Sequence, residues 1–577
     1  MKSLYVTLVA LLVTLGATAQ VDTIRNNTGG NATWASGTAY YLDGYVFVED
    51  GDTLTIEAGT VIRGLQNPTS GSQQGNDTTV DDASALIVAR GGYIIAEGTA
   101  ANPIIFTSDK DADLNSITDV TPFEQNLWGG IIVLGSAGTN TDPVEQQIEG
   151  IPSFETRAVY GGTQNDDNSG ILKYISIRHG GSLLGQDNEI NGLTLGGVGS
   201  GTTIDFVEVF SNQDDGFEWF GGTVNNYHLI SAFCGDDAYD WDQGFRGKGQ
   251  FWFAIQRVDA GGEGGEFDGG TSPEDGTPFA TPQIVNATFI GRGPDKGNRT
   301  LRIRDNSGGF FHNNIFADFG RGVEIEIRDG ATEFTVKRAR EGQLAFKNNI
   351  FWNVNATGTS DDAFIGAAVN FKTRVNGMDV PAQIADSTDA VAEAKAVGDS
   401  IYAAGNNVYA NPNFVSVDSV SRLPDANQSL DPRSFAGIAT TDLDAGVYDS
   451  TFFTTVGYKG AFDTNGSNYW LTDWTALDLY GFLSPTTVAN DNRIDFELNA
   501  YPNPTNGLVK VTANNLKAAN VTVIAYDATG RRIVLKEVAT IAGTLNAEVD
   551  FTAQAPGMYY ITLEQDGILG TMKVEVE

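Results

Sequence analysis

The hexapeptide Asp214-Asp215-Gly216-Phe217-Glu218-Trp219 returns almost at once as Asp236-Asp237-Ala238-Tyr239-Asp240-Trp241, and Glu266-Phe267-Asp268 echoes its end. A second series follows: Asn313-Asn314-Ile315-Phe316, Asn348-Asn349-Ile350-Phe351 and Asn406-Asn407-Val408-Tyr409. A spacing in the low twenties is about one coil of a parallel β-helix. One such coil cannot bury its inner face alone, so coils must stack, with inner Val, Ile, Leu and Phe forming a continuous core. Asn at equivalent turns is expected to stack into hydrogen-bonded ladders.

The chain between these repeats reads the same way. Thr53–Ile62, Ala85–Val88, Tyr93–Gly98, Pro103–Thr107, Gly130–Leu134 and Leu172–Ile177 are strand-sized apolar runs punctuated by Gly, Asn and Asp. Their alternation favours strands over helices. One stretch, 382–404, breaks the pattern: Ala385, Ala390, Val391, Ala394, Val397, Ile401 and Tyr402 recur at helical spacing, which predicts a helix packed on the solenoid or capping an excursion. Residues 66–82 read as an exposed loop. The aromatic segment from Phe452-Phe453 to Trp470 and Trp474 is expected to close the last coil, where strand edges would otherwise be open.

The charge balance is 35 Lys and Arg against 73 Asp and Glu, a net charge of −38. This argues against a nucleic-acid partner, since neutralising phosphates takes Lys and Arg. It favours a hard cation such as Ca2+. A single cysteine, Cys234, excludes an internal disulfide framework, and three histidines make a His-rich metal site improbable.

Both ends are addresses. Residues 1–20 combine Lys2, the apolar run Leu4–Leu15 and Ala17-Thr18-Ala19, the pattern of a cleavable signal peptide. No other stretch is apolar for long enough to span a bilayer as a helix. From residue 494 to 577 short strands and turns alternate regularly, which predicts a small β-sandwich. Ala500-Tyr501-Pro502-Asn503-Pro504-Thr505-Asn506-Gly507, then Tyr526-Asp527-Ala528-Thr529-Gly530-Arg531, then Gly557-Met558-Tyr559-Tyr560 occur here in order, with Lys573 in the last strand. This region resembles the type A C-terminal sorting domain of the type IX secretion system of Bacteroidetes. The resemblance implies handling by that machinery, a secreted or cell-surface location, and removal of the domain.

Ile56-Glu57-Ala58-Gly59-Thr60-Val61-Ile62, the run Ala96–Ser108 and Leu127-Trp128-Gly129-Gly130-Ile131 resemble secreted bacterial right-handed parallel β-helix proteins. The expected fold is therefore all-β: a signal peptide 1–20, a right-handed parallel β-helix over 21–487, and an Ig-like sorting domain over 494–577. The resemblance says little about activity.

Chemistry is expected where the acidic repeats stack. Equivalent residues in neighbouring coils lie ~4.8 Å apart, so Asp214 meets Asp236, Asp215 meets Asp237 and Glu218 meets Asp240. Stacked carboxylates repel, and burial raises their pKa. A bound cation, a shared proton or arginine must compensate, and Ca2+ suits a loose set of oxygens. Asp109, Asp111 and Asp113 form a second candidate calcium loop, although Leu114 replaces the turn glycine of an EF-hand and Val120 its bidentate Glu. Trp219, Tyr239 and Trp241 are candidates to stack on sugar rings, set against a core role. Arg302 and Arg304 alternate with apolar residues and so point outward together. In calcium-dependent β-helix polysaccharide lyases an arginine acts as base beside a carboxylate-held calcium. Asn140-Thr141-Asp142, Asp214-Asp215 or Asp236-Asp237, His179-Gly180 and Arg302-Ile303-Arg304 also resemble polygalacturonase motifs, but in the wrong order and with Arg304 in place of Lys. Two functions stay open: an exported, calcium-stabilised protein that binds glycans or surfaces, and a polysaccharide lyase or hydrolase using Asp214, Asp215, Asp236, Asp237, Arg302 or Arg304.

Overall fold

A computed structural model describes the chain except for residues 1–19, 69–82, 113, 115–118, 183–189, 271–272, 330–333, 356–357, 371, 376–377, 382–387, 418–429, 435–447, 464–468, 484–497, 514–519, 528–531, 540–543 and 565–567. The signal peptide, Asp113 and most of the expected loop 66–82 thus lie outside the described residues. The chain divides into two compact units, residues 1–484 and 485–577.

The first unit is a parallel β-helix. Its described strands form one 28-stranded sheet in which each strand pairs with its equivalent a coil away. Three faces build each coil. In the middle of the molecule, Thr203–Phe210 and Asn225–Ala232 each bend once and supply the first and second faces, while Phe217–Phe220 and Tyr239–Asp242 supply the third. Their register is in line: Thr203 faces Asn225, Val207 faces Leu229 and Trp219 faces Trp241. Alternation sets what is inside. Phe217, Trp219, Tyr239, Trp241 and Phe267 are fully buried, as are Leu301, Ile303, Val323 and Ile325 further along the same face.

The first corner explains the second repeat. Tyr174, Phe206, His228 and Phe251 occupy it in four successive coils at φ of 50°, 54°, 47° and 62°, a left-handed backbone that costs a side-chain-bearing residue roughly 1–2 kcal/mol. Stacking offsets that cost: the rings of Tyr174 and Phe206 lie 4.3 Å apart, those of Phe206 and His228 4.1 Å, those of His228 and Phe251 5.0 Å. The next coils put Asn286, Asn313, Asn348 and Asn406 at the same conformation, which asparagine adopts readily. The neighbouring asparagines form the expected ladder. Asn314 Oδ1 accepts from Ala287 N (2.7 Å), Asn349 Oδ1 from Asn314 N (2.8 Å) and Asn407 Oδ1 from Asn349 N (3.0 Å).

The helix expected from periodicity is present as Thr388–Ala404. Buried Ala394 and the partly buried Ala390, Val397, Ile401 and Tyr402 pack against the solenoid core, beside Phe351 and Phe364. Val391 instead points to solvent, at 36% exposure. Ala385 lies outside the described residues.

The aromatic segment does not close the last coil. Residues 448–463 and 469–483 lie along the outside of earlier coils as a strap: Phe452 O accepts from Tyr227 OH, Tyr458 O accepts from Asn286 Nδ2 (2.8 Å), and 469–483 then turns toward earlier coils. Gly460 N bonds to Asn313 O (2.8 Å) and Ala461 N to Thr288 Oγ1 (2.9 Å). Further back, Trp470 packs edge-on to His228 (5.0 Å) and Trp474 to Tyr174 (5.6 Å). The ladder of corner rings leaves apolar edges on the outer surface, and the strap buries them, forming a second core of Phe210, Ile230, Phe253, Trp470 and Trp474.

The described strands of the second unit form a seven-stranded sandwich. Leu498–Tyr501, Leu508–Ala513 and Leu545–Asp550 form one antiparallel sheet. Arg532–Ala539, Asn520–Asp527, Gly557–Glu564 and Ile568–Val576 form the other. Val509, Val511, Val549, Val523, Ile561 and Leu563 from both sheets share one core. Asn503 ties the Pro502-Asn503-Pro504 segment to the last strand: its Nδ2 donates to Lys573 O (2.8 Å) and its Oδ1 accepts from Glu575 N (2.9 Å).

Candidate functional site

Outward-facing residues of the third face form a charged row. Register places Glu218 against Asp240, Asp240 against Glu266, Glu266 against Arg302 and Arg302 against Glu324. Asp268 faces Arg304 in the adjoining row. The row changes character along its length. Its downstream half alternates in sign, with Arg302 bound to Glu266 (3.0 Å) and to Glu324 (3.4 Å). Arg304 is bound to Asp268 (2.6 Å) and also pairs with Glu266. Its upstream half is acidic only. Arg302 and Arg304 therefore stand on the same face as the acidic stack, but both are engaged in ion pairs.

At the turn preceding this face, Asp214, Asp215 and Asp236 each bring a carboxylate oxygen within 4.8 Å of the other two, the one such acidic convergence among the described residues. The expected pairing of Asp215 with Asp237 is one rung of a longer ladder, whose continuation through Glu263 and Arg299 was not singled out from the sequence. Asp215 Oδ1 accepts from Asp237 N (2.8 Å), Asp237 Oδ1 from Glu263 N, and Glu263 Oε2 from Arg299 N (2.9 Å). Each acid caps the backbone of the next coil. The signal was present: Asp215, Asp237, Glu263 and Arg299 each stand three residues before a member of the charged row.

Burial pushes the carboxyls of Asp215, Glu218, Asp237 and Asp240 well up, and like-charged neighbours push further: Asp214 on Asp215, Glu149 on Glu218, Asp236 on Asp237, Asp268 on Asp240. Asn191 Nδ2 donates to Glu218 Oε2. Such carboxyls hold protons at a pH where surface acids are ionised, or surrender them to a cation.

Other expected site residues are placed elsewhere. Trp219, Tyr239 and Trp241 are fully buried in the solenoid, where Trp219 stacks on Trp252 (5.0 Å) and Trp241 on Phe267 (3.4 Å). Inward alternation put them there, and they offer no face to a sugar. Asp109 and Asp111 are each engaged in bonds of their own. Asp109 Oδ1 accepts from Gln66 N (3.1 Å), while buried Asp111 turns to Thr107 Oγ1 (2.8 Å). His179 lies at the turn after the second face, not with the arginines, and is fully buried. Its ring bonds to Glu124 O (2.8 Å) and Tyr480 OH (3.1 Å).

The parallel solenoid agrees with what family comparison finds. Residues 25–396 match the pectate-lyase-like β-helix domain. The chain belongs to that family. Residues 499–577 match the secretion system C-terminal sorting domain. This β-helix protein is accordingly a cargo of that secretion system, secreted or placed on the outer surface. No described helix is long and apolar enough to cross a membrane. Comparison with curated proteins finds no match.

Proposed function

We propose that this exported β-helix protein is a non-catalytic surface protein that binds glycans through Ca2+ held on its acidic third face. The observation that carries the reading is the convergence of Asp214, Asp215 and Asp236 beside the acidic pair Glu218 and Asp240 of the charged row. Three hard oxygens suit Ca2+, which takes six to eight oxygen ligands. A cation so held keeps open positions for the carboxylates or hydroxyls of an acidic glycan. Calorimetric titration of the full chain with Ca2+ tests it. Asp214→Asn with Asp236→Asn is expected to abolish one binding event, and with it retention on acidic polysaccharide. An unchanged isotherm rejects the site.

A second reading, a polysaccharide lyase or hydrolase, is favoured by one observation: Arg302 and Arg304 share the face of the acidic stack. Their ion pairs with Glu266, Glu324 and Asp268 weigh against a free base. Mass spectrometry of a polysaccharide panel incubated with the protein and Ca2+ separates the two. Unsaturated ends establish a lyase and a gain of water a hydrolase; intact chains leave the binding reading.

A further inference from the structure

The three-stranded sheet of the sorting domain turns an unusual face to solvent. Tyr501 and Leu508 are 49% and 51% exposed. Strand alternation puts both on the same outer face as Lys510, which register sets opposite Tyr501 on one side and Glu548 on the other. Beside them lies a cleft of about 260 Å³ lined by Lys510, Lys536, Asn546, Ala547 and Glu548. Lys536 belongs to Arg532–Ala539, and the last three belong to Leu545–Asp550. Among the described strands the first of these pairs only with Asn520–Asp527 and the second only with Leu508–Ala513. The cleft therefore opens on the side where both sheets end.

Neither lysine of the cleft stands within 4.0 Å of a described carboxylate. Glu548 is directly across from Lys510, yet Lys510 Nζ lies over the Tyr501 ring instead, 5.8 Å from its centroid. Lysines of the solenoid behave otherwise: Lys248 and Lys395 each stand 2.7 Å from a carboxylate. The chain has 73 acidic against 35 basic residues. Two cations held apart from those acids and lining one cleft leave positive potential for a partner. A lysine on an edge strand also deters strand pairing, which accounts for Lys536. It does not account for Lys510, which stands on the central strand of its sheet. An exposed Tyr and Leu beside a cationic cleft have the make-up of a docking surface, with apolar contact for affinity and charge for selection.

We infer that the export machinery docks an acidic patch of its own against this surface of the sorting domain, with Lys510 and Lys536 taking its carboxylates and Tyr501 and Leu508 the apolar contact. The address is thereby narrowed from seven strands to one cleft and its apolar flank. The docking surface lies wholly within the second unit and is independent of Ca2+ on the solenoid.

The test is export of the full chain in the native host, read by cell fractionation. Lys510→Glu with Lys536→Glu is expected to lower the exported fraction roughly tenfold or more, with the calorimetric transition of the sandwich still in place. Lys510→Arg with Lys536→Arg keeps the charge and is expected to be exported like the parent. If the reversed pair fails to fold, Lys510→Gln with Lys536→Gln decides in its place, with a several-fold loss expected. Export of the reversed or neutral pair at the parental level overturns the inference. Loss of export in the Arg pair with the sandwich folded overturns it too, since charge is then not what is read. Deletion of residues 499–577 separates this from failure of the address itself: if deletion blocks export and the charge variants do not, another surface of the same domain is read.

Discussion

His179 has both ring nitrogens committed, to Glu124 O and Tyr480 OH, and burial pushes its pKa down to about 4. It folds neutral. As pH falls from 6.5 toward 4 the unfolded chain takes up a proton there that the folded chain refuses, so stability is lost in that window, by up to ~3 kcal/mol. Burial raises the carboxyl of nearby Glu208, which works in the opposite direction. The expected result is therefore a difference: urea midpoints of His179→Gln fall less between pH 6.5 and 4 than those of the parent. Trp241 makes a second prediction at this scale. It is fully buried and stacked on Phe267, so Trp241→Ala should cost about 3–5 kcal/mol in denaturation. Retention of the folded fraction on glycan should be unchanged. The acidic repeat and its outward carboxylates were legible in the residues themselves. Whether an aromatic at the next position faced in or out was not, because it depends on which of two alternating sets the coil turns toward its core.

At the scale of elements, the strap is what the primary structure hid. Its docking rests on Glu208, a fully buried carboxylate 32 residues from Ser176 and 268 from Ala476 in sequence. Glu208 accepts from Ala476 N (2.6 Å) and Leu477 N (3.3 Å) at the start of the short helix Ala476–Leu479, and from Ser176 Oγ (2.5 Å). Glu208→Leu would leave two strap N–H groups unmet, at ~1–3 kcal/mol each. Limited proteolysis is expected to cut within 469–483 in this variant and not in the parent, with a red-shifted emission from Trp470 and Trp474. Unchanged cleavage and emission would mean the apolar contacts alone hold the strap. The helix Thr388–Ala404 was legible because its apolar residues keep a 3.6-residue period. The strap has no period: irregular backbone binds a surface through scattered rings, and no local pattern encodes which surface.

The whole molecule is two bodies with separate cores, residues 1–484 and 485–577. Calorimetry is expected to resolve two transitions, and removing residues 499–577 should change only one of them. In the native host the same deletion should keep the β-helix from the medium and the outer surface, as read by cell fractionation; normal export would show that the address lies elsewhere. The stacked solenoid, the sorting sandwich and the excess of carboxylates follow from the sequence alone, because each is written as a local repeat: alternation, recurring turns, charge per coil. Tertiary structure alone decided that Arg302 and Arg304 neutralise Glu266, Glu324 and Asp268, that Trp219, Tyr239 and Trp241 face inward, that residues 448–463 and 469–483 lie against earlier coils, and that Asn140 reaches Gly269. Those outcomes depend on contacts between residues tens to hundreds of positions apart. Along the acidic ladder alone the spacing varies from 22 to 36 residues per coil, so no fixed period announces which side chains share a row.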